Sequence, residues 1–203
     1  MREEIERHLP FVDGVAFDFG GVIARASGDE SPVYALCERH GLPRAIVMDC
    51  NERYRRLTDL GELSMEDLYA RAVTEAGIRE PYPGFCRDAA AADSEGWIDF
   101  APETFSLMKE LKALGKRLGL VSNTSQFFYE EYYCRRAGHI HALMDAEILS
   151  WREHITKPDG AIFAIAAERM GLPPQRLLFL DDMPENVEGA RRCGWRAEVY
   201  TVG

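Results

Sequence analysis

The chain is 203 residues long, 46% hydrophobic and formally charged −10 at pH 7. That composition fits a globular chain with a sizeable core, and it excludes a general nucleic-acid-binding surface, because duplex affinity comes largely from cationic contacts to phosphate. Nothing approaches the ~18 consecutive apolar residues of a spanning helix, so no membrane partner is expected.

The charged start Met1-Arg2-Glu3-Glu4-Ile5-Glu6-Arg7 does not have the form of a secretory signal, and the expected address is the cytoplasm. Residues Arg2 to Leu9 form a short charged helix or arm. An apolar run, Val15-Ala16-Phe17, then ends on one carboxylate, Asp18, and breaks at Gly20-Gly21. This is the pattern of a buried strand with a sharp turn behind it. Strand character stops after Ile23. From Ser31 to about Ala92 the pattern is helical, with helices expected over Pro32 to Arg39, Arg44 to Asp59, Ser64 to Ala76 and Gly84 to Ala92. Ser64-Met65-Glu66-Asp67 has the form of a helix start, and Gly41, Gly61 and Gly77 stand where such helices stop.

From Pro102 the texture changes to alternating helix and strand, the signature of a parallel sheet. A helix from Pro102 to Leu114 leads to a strand, Arg117 to Val121, that ends on Ser122-Asn123. A helix from Gln126 to Ala137 and a strand around Leu143 to Leu149 follow. The helix from Gly160 to Met170 precedes the apolar run Leu177-Leu178-Phe179-Leu180, which stops at Asp181-Asp182. Pro184 opens a last helix reaching Cys193, and Ala197 to Tyr200 is a final strand. The fold class is therefore α/β: a Rossmann-like parallel sheet core over residues 10–24 and 98–203, with an all-helical cap inserted over residues 25–97.

Ligand sites of open parallel sheets lie at the carboxyl ends of strands. Asp18, Ser122 with Asn123, and Asp181 with Asp182 can therefore converge on one edge, joined by Lys157 from the loop Thr156-Lys157-Pro158-Asp159. Taken alone, Asp18 is equally a cap for the turn that follows it, and Ser122 fits a strand-end cap better than a site residue. Three carboxylates repel one another unless a cation joins them, and a hard ion such as Mg²⁺ suits an all-oxygen cluster. The cysteines, Cys37, Cys50, Cys86, Cys134 and Cys193, are scattered and odd in number, so reduced thiols with packing roles are expected.

This order of motifs resembles the haloacid dehalogenase superfamily of hydrolases, from about Val12 to Val199. The matching elements are Phe17-Asp18-Phe19-Gly20-Gly21-Val22, Val121-Ser122-Asn123, Lys157-Pro158-Asp159, and Leu180-Asp181-Asp182 followed by Asn186. The resemblance implies a phosphatase in which Asp18 is the nucleophile and becomes an aspartyl-phosphate. Asp18, Asp182 and the carbonyl of Gly20 would bind Mg²⁺. Ser122 and the amide of Asn123 would hold phosphate oxygens, Lys157 would balance charge, Asp181 would orient Lys157, and Asn186 would stand in the metal's outer shell. A small phosphorylated metabolite, such as a sugar phosphate, is the implied substrate, and the oligomeric state is left open. The alternatives are a metal-free dehalogenase-like hydrolase and a silent descendant that binds a phosphorylated ligand or a protein.

One departure matters. Phosphatases of this kind usually carry a second Asp two residues after the nucleophile, as general acid and base, and here that position is Gly20. A carbonyl ligand survives the change and a proton shuttle does not. Asp29 or Glu30 in the following loop is the nearest substitute by sequence. Arg25, Tyr54, Arg55 and Arg56 could face a substrate, although Arg55 and Arg56 fit helix-surface charge better. His8, His40, His139, His141 and His154 form no metal-binding spacing. Of these, His139 and His141 are expected in a loop, and His154 stands where the family frequently has Gly, which would alter that loop. Phe127-Phe128-Tyr129 and Tyr132-Tyr133 fit helix packing with one exposed edge.

Overall fold

The computed structural model describes residues 2–26 and 31–202. The chain opens with a helix, Arg2–His8, and a 3-10 turn, Leu9–Phe11. Its strands are β1 (Gly14–Phe17), β2 (Ala24–Arg25), β3 (Asp99–Phe100), β4 (Arg117–Ser122), β5 (Ala146–Leu149), β6 (Leu177–Asp181) and β7 (Arg196–Val199). Five of them form one sheet in the order β5-β4-β1-β6-β7, with every pairing parallel. β1 lies in the middle, so its continuous apolar run is covered on both faces, as parallel strands require.

Alternation along the strands assigns those faces. Val15, Phe17, Leu118, Leu120, Leu178 and Leu180 point to a core shared with Met108 and Leu111 of the helix Pro102–Ala113 and with Tyr129, Tyr133 and Ile140. Ala16, Val121, Leu177 and Phe179 point the other way, onto Ile162, Phe163 and Met170 of the helix Gly160–Met170 and onto Val187 and Ala190 of the helix Pro184–Arg192. Fully burying one such Leu or Phe contributes about 1.5–3 kcal/mol, so these two layers hold the sheet edge rigid under the site.

Between β2 and β3 lies a helical insertion with an apolar centre of its own. Its helices are Pro32–Arg39, Arg44–Asp59, Met65–Glu75 and Phe85–Glu95. Cys37, Val47, Leu68, Tyr69 and Phe85 meet inside it. Ser64 caps the third of these helices through Asp67 N at 3.0 Å. Gly41, Gly61 and Gly77 follow helix ends at positive φ, where a Cβ would be penalised. Among the described residues no helix is long and apolar enough to cross a membrane.

Several expectations are corrected. Strand character does not stop at Ile23, because Ala24–Arg25 pairs antiparallel with Asp99–Phe100 at the junction of insertion and sheet. A two-residue strand is too short to show alternation. The stretch 126–136 is helical but widens into a π-helical turn over Tyr129–Tyr133. There the Tyr129 and Tyr133 hydroxyls both donate to Glu147, each at 2.7 Å. His139 and His141 lie in a helical turn, Gly138–His141, where His141 Nδ1 is 2.9 Å from Glu147 Oε1. His154 adopts the left-handed conformation a glycine would favour, at φ 57°, so its loop keeps the glycine shape. Its ring also reaches the Leu60 carbonyl at 2.8 Å, tying core to insertion. All five cysteines are free thiols. Asp29 and Glu30 lie outside the described residues.

Candidate active site

The sheet register brings the site together. Phe17 is level with Leu120 on one side and Leu180 on the other, so the next residues, Asp18, Val121 and Asp181, are neighbours at the carboxyl edge. The Asp18 amide donates to the Leu180 carbonyl at 2.8 Å, which holds the first carboxylate just past the end of β1. Oxygen atoms of Asp18, Asp181 and Asp182 all lie within 4.8 Å of one another.

Lys157 lies between two of these acids. Its Nζ is 2.7 Å from Asp18 Oδ1 and 2.6 Å from Asp181 Oδ2, with its side chain 1% exposed. Burial works against the charge on Lys157, but Asp18 and Asp181 outweigh it and raise its pKa. Burial likewise pushes the Asp18 carboxyl upward, opposed by Lys157 and reinforced by Asp181. Asp182 is raised too, by burial and then by Asp181. Three carboxylates therefore face one ammonium.

Asp181 has little capacity left for a cation. Its Oδ2 accepts from Lys157, its Oδ1 accepts from the Met183 amide at 2.8 Å, and Asn186 Nδ2 donates to both oxygens at 3.0 and 3.1 Å. Asp18 and Asp182 remain open to the cavity. The donor set is oxygen only, half-buried and net negative, which fits a hard divalent ion such as Mg²⁺. Gly21, at φ 69°, passes so close to Asp182 that a Cβ there would collide with the carboxylate.

Ser122 is buried at the end of β4 and lines the same cavity. Asn123 also lines it, and its side chain has a second task that sequence did not reveal. Its Oδ1 accepts from the Lys157 amide at 2.8 Å, and its Nδ2 donates to the Lys157 carbonyl at 3.2 Å. The expected residues Asp18, Gly20, Ser122, Asn123, Lys157, Asp182 and Asn186 thus surround one cavity of about 360 Å³, with Asp181 directly behind Lys157.

The opposite wall comes from the insertion, and of its residues named here only Arg55 was among those expected to face a substrate. Arg55, Asp59, Asp93 and Trp97 face the sheet edge across the cavity. Arg55, expected as surface charge, instead pairs with buried Asp93 at 2.8 Å. The readable signal was Asp93 itself, an acid on the same stripe of the helix Phe85–Glu95 as Phe85, Ala89 and Ala90. Trp97 stands over Gly20: a Cβ at position 20 would lie 2.8 Å from ring carbon Cζ3.

Comparison with known proteins identifies the family and the fold. The sequence profile of the haloacid dehalogenase-like hydrolases matches residues 12–194. A phosphatase, MT3486, from Mycobacterium tuberculosis is 30% identical over 106 residues, which is 52% of this chain and 46% of that protein. The (S)-2-haloacid dehalogenase H-109 of Pseudomonas putida is 24% identical over 194 residues, 91% of this chain and 83% of that one. Only about half the length of the first relative is therefore spanned. Among solved structures, a HAD family enzyme from Bacteroides thetaiotaomicron, in complex with magnesium and inorganic phosphate, superposes with a TM-score of 0.76 at 18% identity and shares the fold over 95% of both chains. With its parallel sheet, its acid-rich strand ends and a profile match over most of its length, the chain belongs to the haloacid dehalogenase-like hydrolases.

Proposed function

We propose that the protein is a Mg²⁺-dependent phosphomonoesterase that hydrolyses a small phosphorylated metabolite, such as a sugar phosphate, through an aspartyl-phosphate on Asp18. The observation that carries this reading is the placement of Asp18 against Lys157 at 2.7 Å and within 4.8 Å of Asp182. Asp18 attacks phosphorus, and its attack is aligned by the strand edge and by Lys157. Asp18, Asp182 and the Gly20 carbonyl would hold the ion, and Asn186 supports the cluster through Asp181. Bound Mg²⁺ supplies positive charge that offsets the approach of two anions and polarises the phosphoryl oxygens. Ser122 and the Asn123 amide hold phosphoryl oxygens as charge shifts among them.

The need for this charge can be sized. Bringing a carboxylate to about 4 Å from a dianionic phosphate costs roughly 8 kcal/mol at an effective dielectric of 20. That is near six orders of magnitude in rate if nothing offsets it. Loss of the second Asp costs about 10²- to 10⁴-fold by itself. The electrostatic requirement is the larger, and Lys157 together with the oxygen ligands of Asp18 and Asp182 is suited to meeting it.

The helical insertion, residues 25–97, acts as a cap that closes over the substrate and excludes water. A cavity of about 360 Å³ suits a small metabolite. Hydrolysis of 4-nitrophenyl phosphate that needs Mg²⁺ and is abolished in Asp18→Asn is the expected result; unchanged turnover in that variant would refute the reading. Gly20 and the dehalogenase relative favour a second reading, metal-free dehalogenation. Chloride release from a 2-haloacid in EDTA, with no phosphate ester turned over, would establish it instead.

A further inference from the structure

Transfer of a phosphoryl group to Asp18 leaves an alkoxide that needs a proton, and hydrolysis of the phosphoenzyme needs a water that loses one. Position 20 provides no carboxyl, and Trp97 fills the space a side chain there would enter, with ring carbon Cζ3 only 2.8 Å from the site of a Cβ. Trp97 is itself held by packing against the sheet core. The proton must therefore come from another wall of the cavity.

Among the described residues, the acids lining the cavity are Asp18, Asp59, Asp93 and Asp182. On the phosphatase reading Asp18 is the nucleophile and Asp182 would hold the metal ion. Asp93 is engaged by Arg55 at 2.8 Å. Asp59, the last residue of the helix Arg44–Asp59, is half-buried, and its carboxyl makes no hydrogen bond among the described residues. It also borders a second recess together with Lys157 and Asn123, and the charge of Lys157 acts on it.

Resting on the phosphatase reading, we propose that Asp59 is the general acid and base of the reaction, carried to the site by the helical insertion rather than by the strand of the nucleophile. In the first step an Asp18 oxygen bonds to phosphorus, the ester P–O bond breaks, and the Asp59 carboxyl gives its proton to the departing oxygen. In the second step the Asp59 carboxylate takes a proton from water as that water's oxygen bonds to phosphorus. The bond between phosphorus and Asp18 then breaks, releasing inorganic phosphate and restoring the Asp18 carboxylate and the protonated Asp59 carboxyl. Asp59 is suited to both steps because burial pushes its pKa up to about 6, against the pull of Arg55 and Lys157 and with help from Asp93. An acid on the insertion also makes proton transfer conditional on closure, so an open site would not spend the phosphoenzyme on bulk water.

The test is pre-steady-state kinetics of Asp59→Asn with Mg²⁺ on two substrates, a sugar 6-phosphate with a poor leaving group and 4-nitrophenyl phosphate with a good one. The expected variant keeps the first-turnover burst of nitrophenolate within a few-fold of wild type. It then stalls as phosphoenzyme, with steady-state turnover lowered about 10²- to 10⁴-fold, and it shows no burst with the sugar phosphate. A wild-type rate on both substrates would overturn the proposal. So would equal loss of burst on both, which marks a structural role, or loss of turnover in Asp29→Asn or Glu30→Gln while Asp59→Asn stays active. A wild-type protein that cleaves neither ester refutes the phosphatase reading itself, and the assignment of Asp59 falls with it.

Discussion

Asn123 grips the backbone of Lys157 at both ends of one residue, accepting from its amide at 2.8 Å and donating to its carbonyl at 3.2 Å. The loop that carries the lysine is thus fastened to the end of β4, and the position of the ammonium depends on an amide that never touches it. Asn123→Ala should lower kcat about 10- to 100-fold with KM little changed, since a displacement near 1 Å is enough for that. It should also cost about 1–3 kcal/mol of stability for the buried groups left unpaired. Steady-state kinetics beside a urea titration would check both, and a normal kcat would contradict the positioning role.

Lys157 keeps two carboxylates apart while pairing with each. Removing one partner of a buried ion cluster typically costs about 3–5 kcal/mol. Lys157→Met should therefore melt well below the wild type as well as lose activity. A variant that is inactive but equally stable would show that the cluster has no structural weight.

The open oxygens of Asp18 and Asp182 should give the apoprotein a measurable response to metal. Ligand at about 100 times its Kd stabilises by about 2.7 kcal/mol, so Mg²⁺ should raise the melting temperature of wild type, and the rise should vanish in Asp182→Asn. Equal shifts in both proteins would place the ion elsewhere.

Asp59 predicts a pH effect on stability of definite sign. Its folded pKa is raised to about 6, so between the usual carboxylate range and that value the folded chain holds a proton the unfolded chain has released. Stability falls with rising pH across that window and is level above it. Asp59→Asn should consequently melt above wild type at neutral pH and level with it at about pH 4, near the ordinary carboxyl pKa. Paired thermal melts at the two pH values would check this, and a lower melting temperature for the variant at neutral pH would contradict it.

Much of the core side of the site was legible because each polar group ends an apolar run. Asp18 after Val15-Ala16-Phe17 and Asp181 after Leu177 to Leu180 announce strand ends, and parallel strands share an edge. Helix bounds in the insertion were legible where Pro32 opens a helix and where Gly61 and Gly77 follow one. The far wall was not. Arg55 carries the pattern of surface charge, and its buried partner Asp93 lies 38 residues further along the chain on another helix. Trp97 sits in a linker without periodicity, so nothing local ties it to Gly20, 77 residues earlier. The β2–β3 pairing is too short to leave any pattern.

Acid quenching within the first turnover is the most direct measurement of the central claim. With Mg²⁺ and 4-nitrophenyl phosphate, peptide mass spectrometry should find one phosphoryl group per chain on Asp18, formed at the rate of nitrophenolate release and chased off by time. Nitrophenolate release with no phosphorylated peptide at any quench time, or an undiminished rate in Asp18→Asn, would contradict it.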